Sequence, residues 1–465
     1  MFRPSRIAGA LALTLGLAGC GGEDKPTNEP QDFSRFDAFP STYSLQQEQD
    51  VLIRSATVLT ATGEQLQETD LLLKDGKIAK IGKGLKAGDK ALVIDAQGKW
   101  VTPGVIDVHS HLGNYPAPSI ESSQDGNEIT SPNTGQVWAE HSVWTQDPQF
   151  ALALSGGVTT LQILPGSANL FGGRGVTLKN VPGRRVQDMK FPDAPYGLKM
   201  ACGENPKRVY GSKGTAPGTR MGNVAGYRQA WIQAEAYKKK WDAYNKGESS
   251  DKPDRDLKLE TLAGVLAGEI LVHNHCYRGE EMAIMMDVAK EFDFKVSTFH
   301  HAVEAYKVAD LLAENQVCSA MWADWWGFKH EAFDMTEANI AIVDQAGACA
   351  LIHSDSSVGI QHLNQEVAKA MLAGQRAGFD IPPREAVKWF TLNAAKSLGI
   401  EDKTGSIEEG KMADVVIWSG SPFSVYTLAE QVFIDGVLMY DRKDEKRQPH
   451  SDFDLGILDA EGERV

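Results

Sequence analysis

The sequence predicts an α/β protein: a (β/α)8 barrel with a small β-sandwich assembled from both chain ends. Three observations carry this expectation. β-rich segments lie near both ends, at 51–100 and 413–436. Between them, about 300 residues alternate short apolar runs with helical periodicity, the length and rhythm of a barrel. Seven of the 11 histidines fall at or just beyond the ends of those apolar runs. That is the end at which barrel strands present functional side chains.

The 465 residues are 42% apolar and 23% charged, enough to build a sizeable core. Acidic residues outnumber basic ones, 62 to 47, for a net charge of −15. That balance lacks the footprint of a nucleic-acid binder. No apolar run reaches the ~18 residues of a membrane span. At the N-terminus, Arg3 and Arg6 precede the small-apolar run from Ile7 to Ala18, so residues 1–20 read as a secretory signal. Its end, Leu17-Ala18-Gly19-Cys20, resembles the lipobox of bacterial lipoproteins. That resemblance implies lipidation at Cys20, a polar tether over 21–50 and attachment on the periplasmic side. Gly21 after the cysteine implies the outer membrane.

Residues 51–102 read as short strands, with Asp75-Gly76 as a hairpin turn between β-rich runs. The runs Ala413–Trp418 and Val432–Gly436 supply the other half of this unit, over 403–440. The barrel occupies 103–402, and 441–465 is a tail. Within the barrel, Val158–Leu164, Ile270–Val272 and Ala348–Ile352 are strand-like, and Glu280–Phe292 and Glu304–Glu314 are helical. Residues 225–262 form a helical excursion broken by a loop at Gly247–Pro253. Cys202, Cys276, Cys318 and Cys349 form no C-x-x-C pair, and free, buried thiols are expected.

The chemistry concentrates at the strand ends. His109 and His111 follow Val105–Val108, and spacing i, i+2 puts both rings on one side of a strand. His273 and His275 end the next histidine-bearing run, His300 and His301 another, and His353 lies two residues before Asp355. Imidazole plus carboxylate suits Zn, with Mn, Fe, Co or Ni as alternatives. A Gly-rich segment, Gly166 to Gly175, is expected to be a loop whose Arg174 holds a substrate carboxylate. Tyr277 and Arg278 follow His275 and are further candidates for the pocket. Trp322, Trp325 and Trp326 are candidates for its wall or for ordinary packing.

Val101 to His111 resembles the opening barrel strand of the amidohydrolase superfamily. Thr391–Gly399 and Gly405–Val416 resemble its last barrel helix and the return into its β-domain. The likeness covers about 50–440 and is nearest to imidazolonepropionase-like and Xaa-Pro-dipeptidase-like members. It implies a distorted barrel holding one or two divalent ions. The implied ligands are His109, His111, His275, His301 and Asp355, with His273 and His353 beside them. Relatives bridge the metals with a carboxylated Lys or a Glu; here the candidates are Glu204, Lys199 and Lys179, with Glu204 preferred over Lys199. The implied reaction is cleavage of a carbon–nitrogen bond in a small amide, cyclic amide or dipeptide by a metal-activated hydroxide, with Asp355 as proton carrier. Lactone or phosphotriester hydrolysis, deamination, and a lipid-anchored binding protein with a relict site are the alternatives. Arg278 occupies the place where deaminases of this scaffold carry a Glu. Self-association stays open.

Overall fold

The computed structural model describes residues 39–449. The signal segment, Cys20 and most of the 21–50 tether lie outside the described residues, as do residues 450–465 of the tail. The first five strands are β1 (Val51–Leu59), β2 (Gln65–Lys74), β3 (Lys77–Gly82), β4 (Leu92–Asp95) and β5 (Trp100–Pro103). The barrel follows, with β6 (Val105–Ser110), β7 (Val158–Ile163), β8 (Phe171–Lys179) and β9 (Gly197–Ala201). It continues with β10 (Leu271–His275), β11 (Val296–His300), β12 (Cys318–Met321) and β13 (Cys349–Ile352). The chain then returns through β14 (Val415–Trp418), β15 (Ala429–Ile434) and β16 (Val437–Asp441).

The two chain ends build one hydrogen-bonded sheet in the order β16-β15-β14-β5-β1-β2-β3, with β4 also on β1. The β2–β3 turn is the Asp75-Gly76 pair, with φ of +53° and +75°. A two-residue turn with both φ positive is the geometry that Asp-Gly favours. From this hairpin Leu71, Leu73 and Ile78 share a core with Val415, Ile417 and Phe433 of the other chain end. Burying each such side chain stabilises by about 1.5–3 kcal/mol, so the core holds the two ends together.

The barrel sheet runs β6 to β13 in sequence order. Its strands are parallel except β8, which is antiparallel to both β7 and β9. The expected all-parallel alternation fails here for a simple reason. Only residues 164–170 link β7 to β8, and a parallel return needs a crossover of about a dozen residues or more. The predicted glycine loop is therefore partly strand: Gly172 to Gly175 lie inside β8. Gly173 has φ +113°, and a Cβ there would meet the Val137 carbonyl oxygen at 2.2 Å.

Side-chain and loop hydrogen bonds join β13 to β6. Ser354 donates its backbone N–H to Asp107 Oδ1 (3.1 Å) and its hydroxyl to Asp107 Oδ2. Asp355 N–H donates to the His109 carbonyl (3.0 Å). The cysteines are not free thiols: Cys202–Cys276 and Cys318–Cys349 are disulfides, with Cα separations of 5.2 and 4.4 Å. Each pair lies on adjacent strands, where neighbouring backbones bring Cα atoms within bridging range. The first closes just past the ends of β9 and β10, and the second joins the first residues of β12 and β13.

The excursion between β9 and β10 contains two longer helices, Arg220–Asn245 and Leu257–Leu266. Thr219 and Asp256 cap them by accepting from backbone N–H groups of the first turn. No helix among the described residues is long and apolar enough to cross a membrane.

Candidate metal centre

Five strands or the turns just after them deliver the cluster. β6 supplies His109 and the next turn His111; β9 supplies Lys199; β10 supplies His273 and His275. His300 ends β11 and His301 follows it, and His353 and Asp355 follow β13. His111 Nε2 lies 3.3 Å from His109 Nε2, and Lys199 Nζ lies 3.3 Å from the same nitrogen. Asp355 Oδ1 is 3.1 Å from His111 Nε2 and 3.6 Å from His109 Nε2, while Oδ2 is 3.7 Å from His301 Nε2. Two overlapping triads have ligand atoms within 4.8 Å of one another: His109–His111–Asp355 and His109–His301–His353.

The donors are prepared for a cation. Burial holds His109, His275 and His301 well below the usual imidazole range, His353 to about 4 and His273 to about 3. They are therefore neutral at pH 7, with lone pairs to give. Burial lowers Lys199 to about 7, against the opposing charge of Asp355. For Asp355, burial pulls upward, but the hydrogen bond and charge of His111 and the charge of Lys199 prevail and lower it. Both ring nitrogens of His275 are buried without a hydrogen-bond partner, as is Nδ1 of His353. Buried polar atoms are ordinarily satisfied, and ones that converge unsatisfied mark a place for an ion or water. The donor set thus fits one or two divalent ions.

The sequence candidates sort by position. Glu204 is not in the cluster. It opens the helix Glu204–Gly211, and its carboxylate lies 3.7 Å from Lys329. Glu204 follows Gly203 (φ +78°) at the start of that helix, whereas Lys199, mid-strand, brings its Nζ to 3.3 Å from His109 Nε2. Lys179 is also elsewhere, bonded to Asp414 (2.8 Å) and Asp435 (3.0 Å). His273 Nδ1 contacts His300 Nε2 (3.0 Å), and His300 Nδ1 contacts His109 Nδ1 (2.9 Å). These two histidines form a chain behind the first triad. His353, expected only beside the site, enters the second triad, with Nε2 2.7 Å from His301 Nδ1.

Arg174 is not a clamp: it is buried, donates from Nε to Thr261 (2.8 Å) and stacks on Trp138, 4.3 Å from the ring centre. Arg278 pairs with Glu280 (2.5 Å) at the start of the next helix and is partly exposed. Tyr277 does face the cluster, its ring centre 5.0 Å from that of His275 and 5.6 Å from that of His301.

Three contributors add to the sequence candidates: Asp107 and Arg220 are new, and Trp322 is one of the tryptophans expected at the wall or in ordinary packing. Asp107, inside the motif that carries His109, accepts three hydrogen bonds: two from Ser354 and one from His109 N–H (3.2 Å). Burial raises it to about 7 despite those bonds. Trp322 stacks on His301 and His353 at 4.5 and 4.9 Å and donates its indole N–H to the Ser354 carbonyl (3.0 Å). It therefore supports two histidines and the turn carrying Asp355. His301 and Asp355 need such support, since both hold left-handed φ of +56° and +48°, a conformation that costs about 1–3 kcal/mol per non-glycine residue. Third, Arg220 bridges Glu281 (3.0 Å) and Glu331. Those carboxylates accept from the N–H groups of Gly203 (3.1 Å) and Glu204 (2.8 Å), which fixes the turn after β9. Of the two new residues, only Asp107 carries a readable signal, its place two residues before His109.

The sequence profile described as Amidohydrolase family matches residues 242–439. Amidohydrolase tasK of Hapsidospora irregularis is 32% identical over 406 residues. That match covers 82% of this chain, and the chain spans 41% of that protein's length. Imidazolonepropionase of Shewanella oneidensis is 27% identical over 382 residues, covering 75% of this chain and 86% of that one. The crystal structure of an amidohydrolase from Thermotoga maritima superposes with a TM-score of 0.78 at 36% identity, covering 84% of this chain and all of that one.

Proposed function

The chain belongs to the amidohydrolase family, and we propose that it hydrolyses a carbon–nitrogen bond of a small amide, cyclic amide or dipeptide-like substrate using one or two divalent ions, zinc first. The observation that carries this reading is the convergence of His109, His111, Lys199, His301 and Asp355, with the partnerless nitrogens of buried His275 beside them. These six residues would hold the ions, with His353 adjoining. Lys199 takes the bridging place proposed earlier for Glu204. An amine held near neutrality can add carbon dioxide, forming an N–C bond and losing a proton, and so become a carboxylate ligand. When bound, the ions supply Lewis-acid polarisation of the carbonyl and a water acidic enough to be a nucleophile near pH 7.

The protein's own groups do the rest. Asp355, ionised and at the cluster edge, takes the proton of the attacking water at Oδ2, the oxygen less committed to His111. It then returns that proton to the leaving nitrogen, acting as base and then acid. Tyr277 and Trp322 wall the site against water and hold the His301 ring. The test is hydrolysis of a panel of dipeptides, N-acyl amino acids and cyclic amides before and after chelation. Activity is expected to vanish with the ions and return on adding zinc; full turnover by ion-free protein would refute the reading.

Attachment is a separate proposal. Cys20 is the proposed lipid site, holding the enzyme on the periplasmic side of the outer membrane. Cys20→Ala is expected to release a folded, soluble enzyme, and a wild type already soluble on fractionation would refute it.

A further inference from the structure

Lys329 lies on the segment that follows β12 and carries Trp322, Trp325 and Phe328. Its Nζ sits 3.7 Å from the centre of the Tyr277 ring, the ring that packs against His275 and His301. Its side chain is only 17% exposed. The carboxylates around it are at long range: Glu204 at 3.7 Å and Glu331 at 3.5 Å. Asn205 Oδ1 accepts from it at 3.4 Å. Glu331 meets Lys329 through Oε2, while its Oε1 accepts from Arg220 and from the N–H of Glu204. The fold therefore stations an ammonium over the aromatic ring that packs on His275 and His301, its two ion pairs lying at 3.5 and 3.7 Å. Arg174, expected to hold a substrate carboxylate, donates to Thr261, and Arg278, a pocket candidate, pairs with Glu280.

Resting on the hydrolase reading above, we propose that Lys329 receives a carboxylate of the substrate, so that the enzyme selects amides bearing an anionic group over neutral ones. A carboxylate placed against Nζ gains a charge-assisted hydrogen bond in a half-buried setting. It replaces the long contacts to Glu204 and Glu331. The aromatic rings beside Lys329, Tyr277 at its foot and Phe328 next to it in the chain, supply the apolar flank. The substrate class is then an N-acyl or aminoacyl amino acid, or a cyclic amide carrying a carboxyl group.

The test uses matched pairs: N-acetyl amino acids and dipeptides with small, branched, aromatic and cyclic side chains, each beside its neutral C-terminal amide. Turnover is measured for the zinc-loaded enzyme and binding by calorimetry. Wild type is expected to favour the acids by about 10²-fold in kcat/KM, the scale of a hydrogen bond to a charged group. Lys329→Met should erase that preference, chiefly through KM, and leave the neutral amides within a few-fold. Lys329→Gln guards against a packing effect and should do the same, while Lys329→Arg should retain part of the preference. Equal loss on acids and amides, absence of any preference in wild type, or failure of every acid to bind would overturn the proposal. Acids that bind wild type selectively, lose that selectivity in Lys329→Met, and are never hydrolysed would sustain the anion site and refute the hydrolase reading instead.

Discussion

Two buried lysines on adjacent strands have opposite surroundings. Lys179, at the end of β8, donates to both oxygens of Asp414 (2.9 and 2.8 Å) and to Asp435 (3.0 Å). Asp414 also accepts from Thr404 (2.8 Å), and Asp435 accepts from the Tyr43 hydroxyl (2.5 Å). The cluster ties the barrel to the end-built sheet, and every charge in it is answered from within the chain. Lys199, in the middle of β9, has His109 at 3.3 Å and faces a ring of neutral imidazoles with unsatisfied nitrogens. Burial alone does not mark a functional lysine. What separates the two is whether the fold itself completes the bonding.

That contrast can be broken by substitution. The largest effect is expected at the edge of the open cluster: Asp355→Asn keeps shape but loses basicity, so kcat should fall by about 10²–10⁴. A value near wild type would remove Asp355 from proton transfer. Lys199→Met should lower kcat by about 10²–10³, the scale of one preorganised electrostatic group. It should hold or raise Tm, because it removes a buried amine whose close partner is a neutral imidazole and not a carboxylate. Lys179→Met should do the reverse. It strands two buried carboxylates at a cost of about 3–5 kcal/mol, yet leaves kcat per folded molecule intact; denaturant titration beside metal-loaded assays separates the two. Further down, His109→Ala should lower zinc content more than His300→Ala, whose two ring nitrogens are taken up by His109 and His273. Equal losses by elemental analysis would dissolve that distinction. The smallest effect is expected for Glu204→Gln, with zinc per chain unchanged within error, since its carboxylate faces Lys329.

The sequence was most informative where periodicity and chemistry coincide. Histidines at the ends of apolar runs come together in one cluster because parallel strands share one end, and Asp75-Gly76 located its hairpin because few residues tolerate two positive φ values. What stayed hidden depends on contacts between segments far apart in the chain. The antiparallel β8 followed from a short link whose consequence is topological. The disulfides needed strand adjacency, which spacing along the chain does not reveal. Lys199 and Glu204 are five residues apart and chemically both suited to bridge ions. Only the strand end between them decides that one meets His109 and the other opens a helix. Trp322 is legible only as wall or packing, and Lys329 carries no signal, until β12 leads them to His301 and Tyr277.

The central claim is that the open cluster, and not the closed one, holds the ions. Anomalous diffraction at the zinc edge from crystals of the active, zinc-loaded enzyme tests it most directly. The account predicts one or two peaks enclosed by His109, His111, Lys199, His275, His301 and Asp355. An active crystal with no peak there, or with its peak at Glu204 or among Lys179, Asp414 and Asp435, would contradict it.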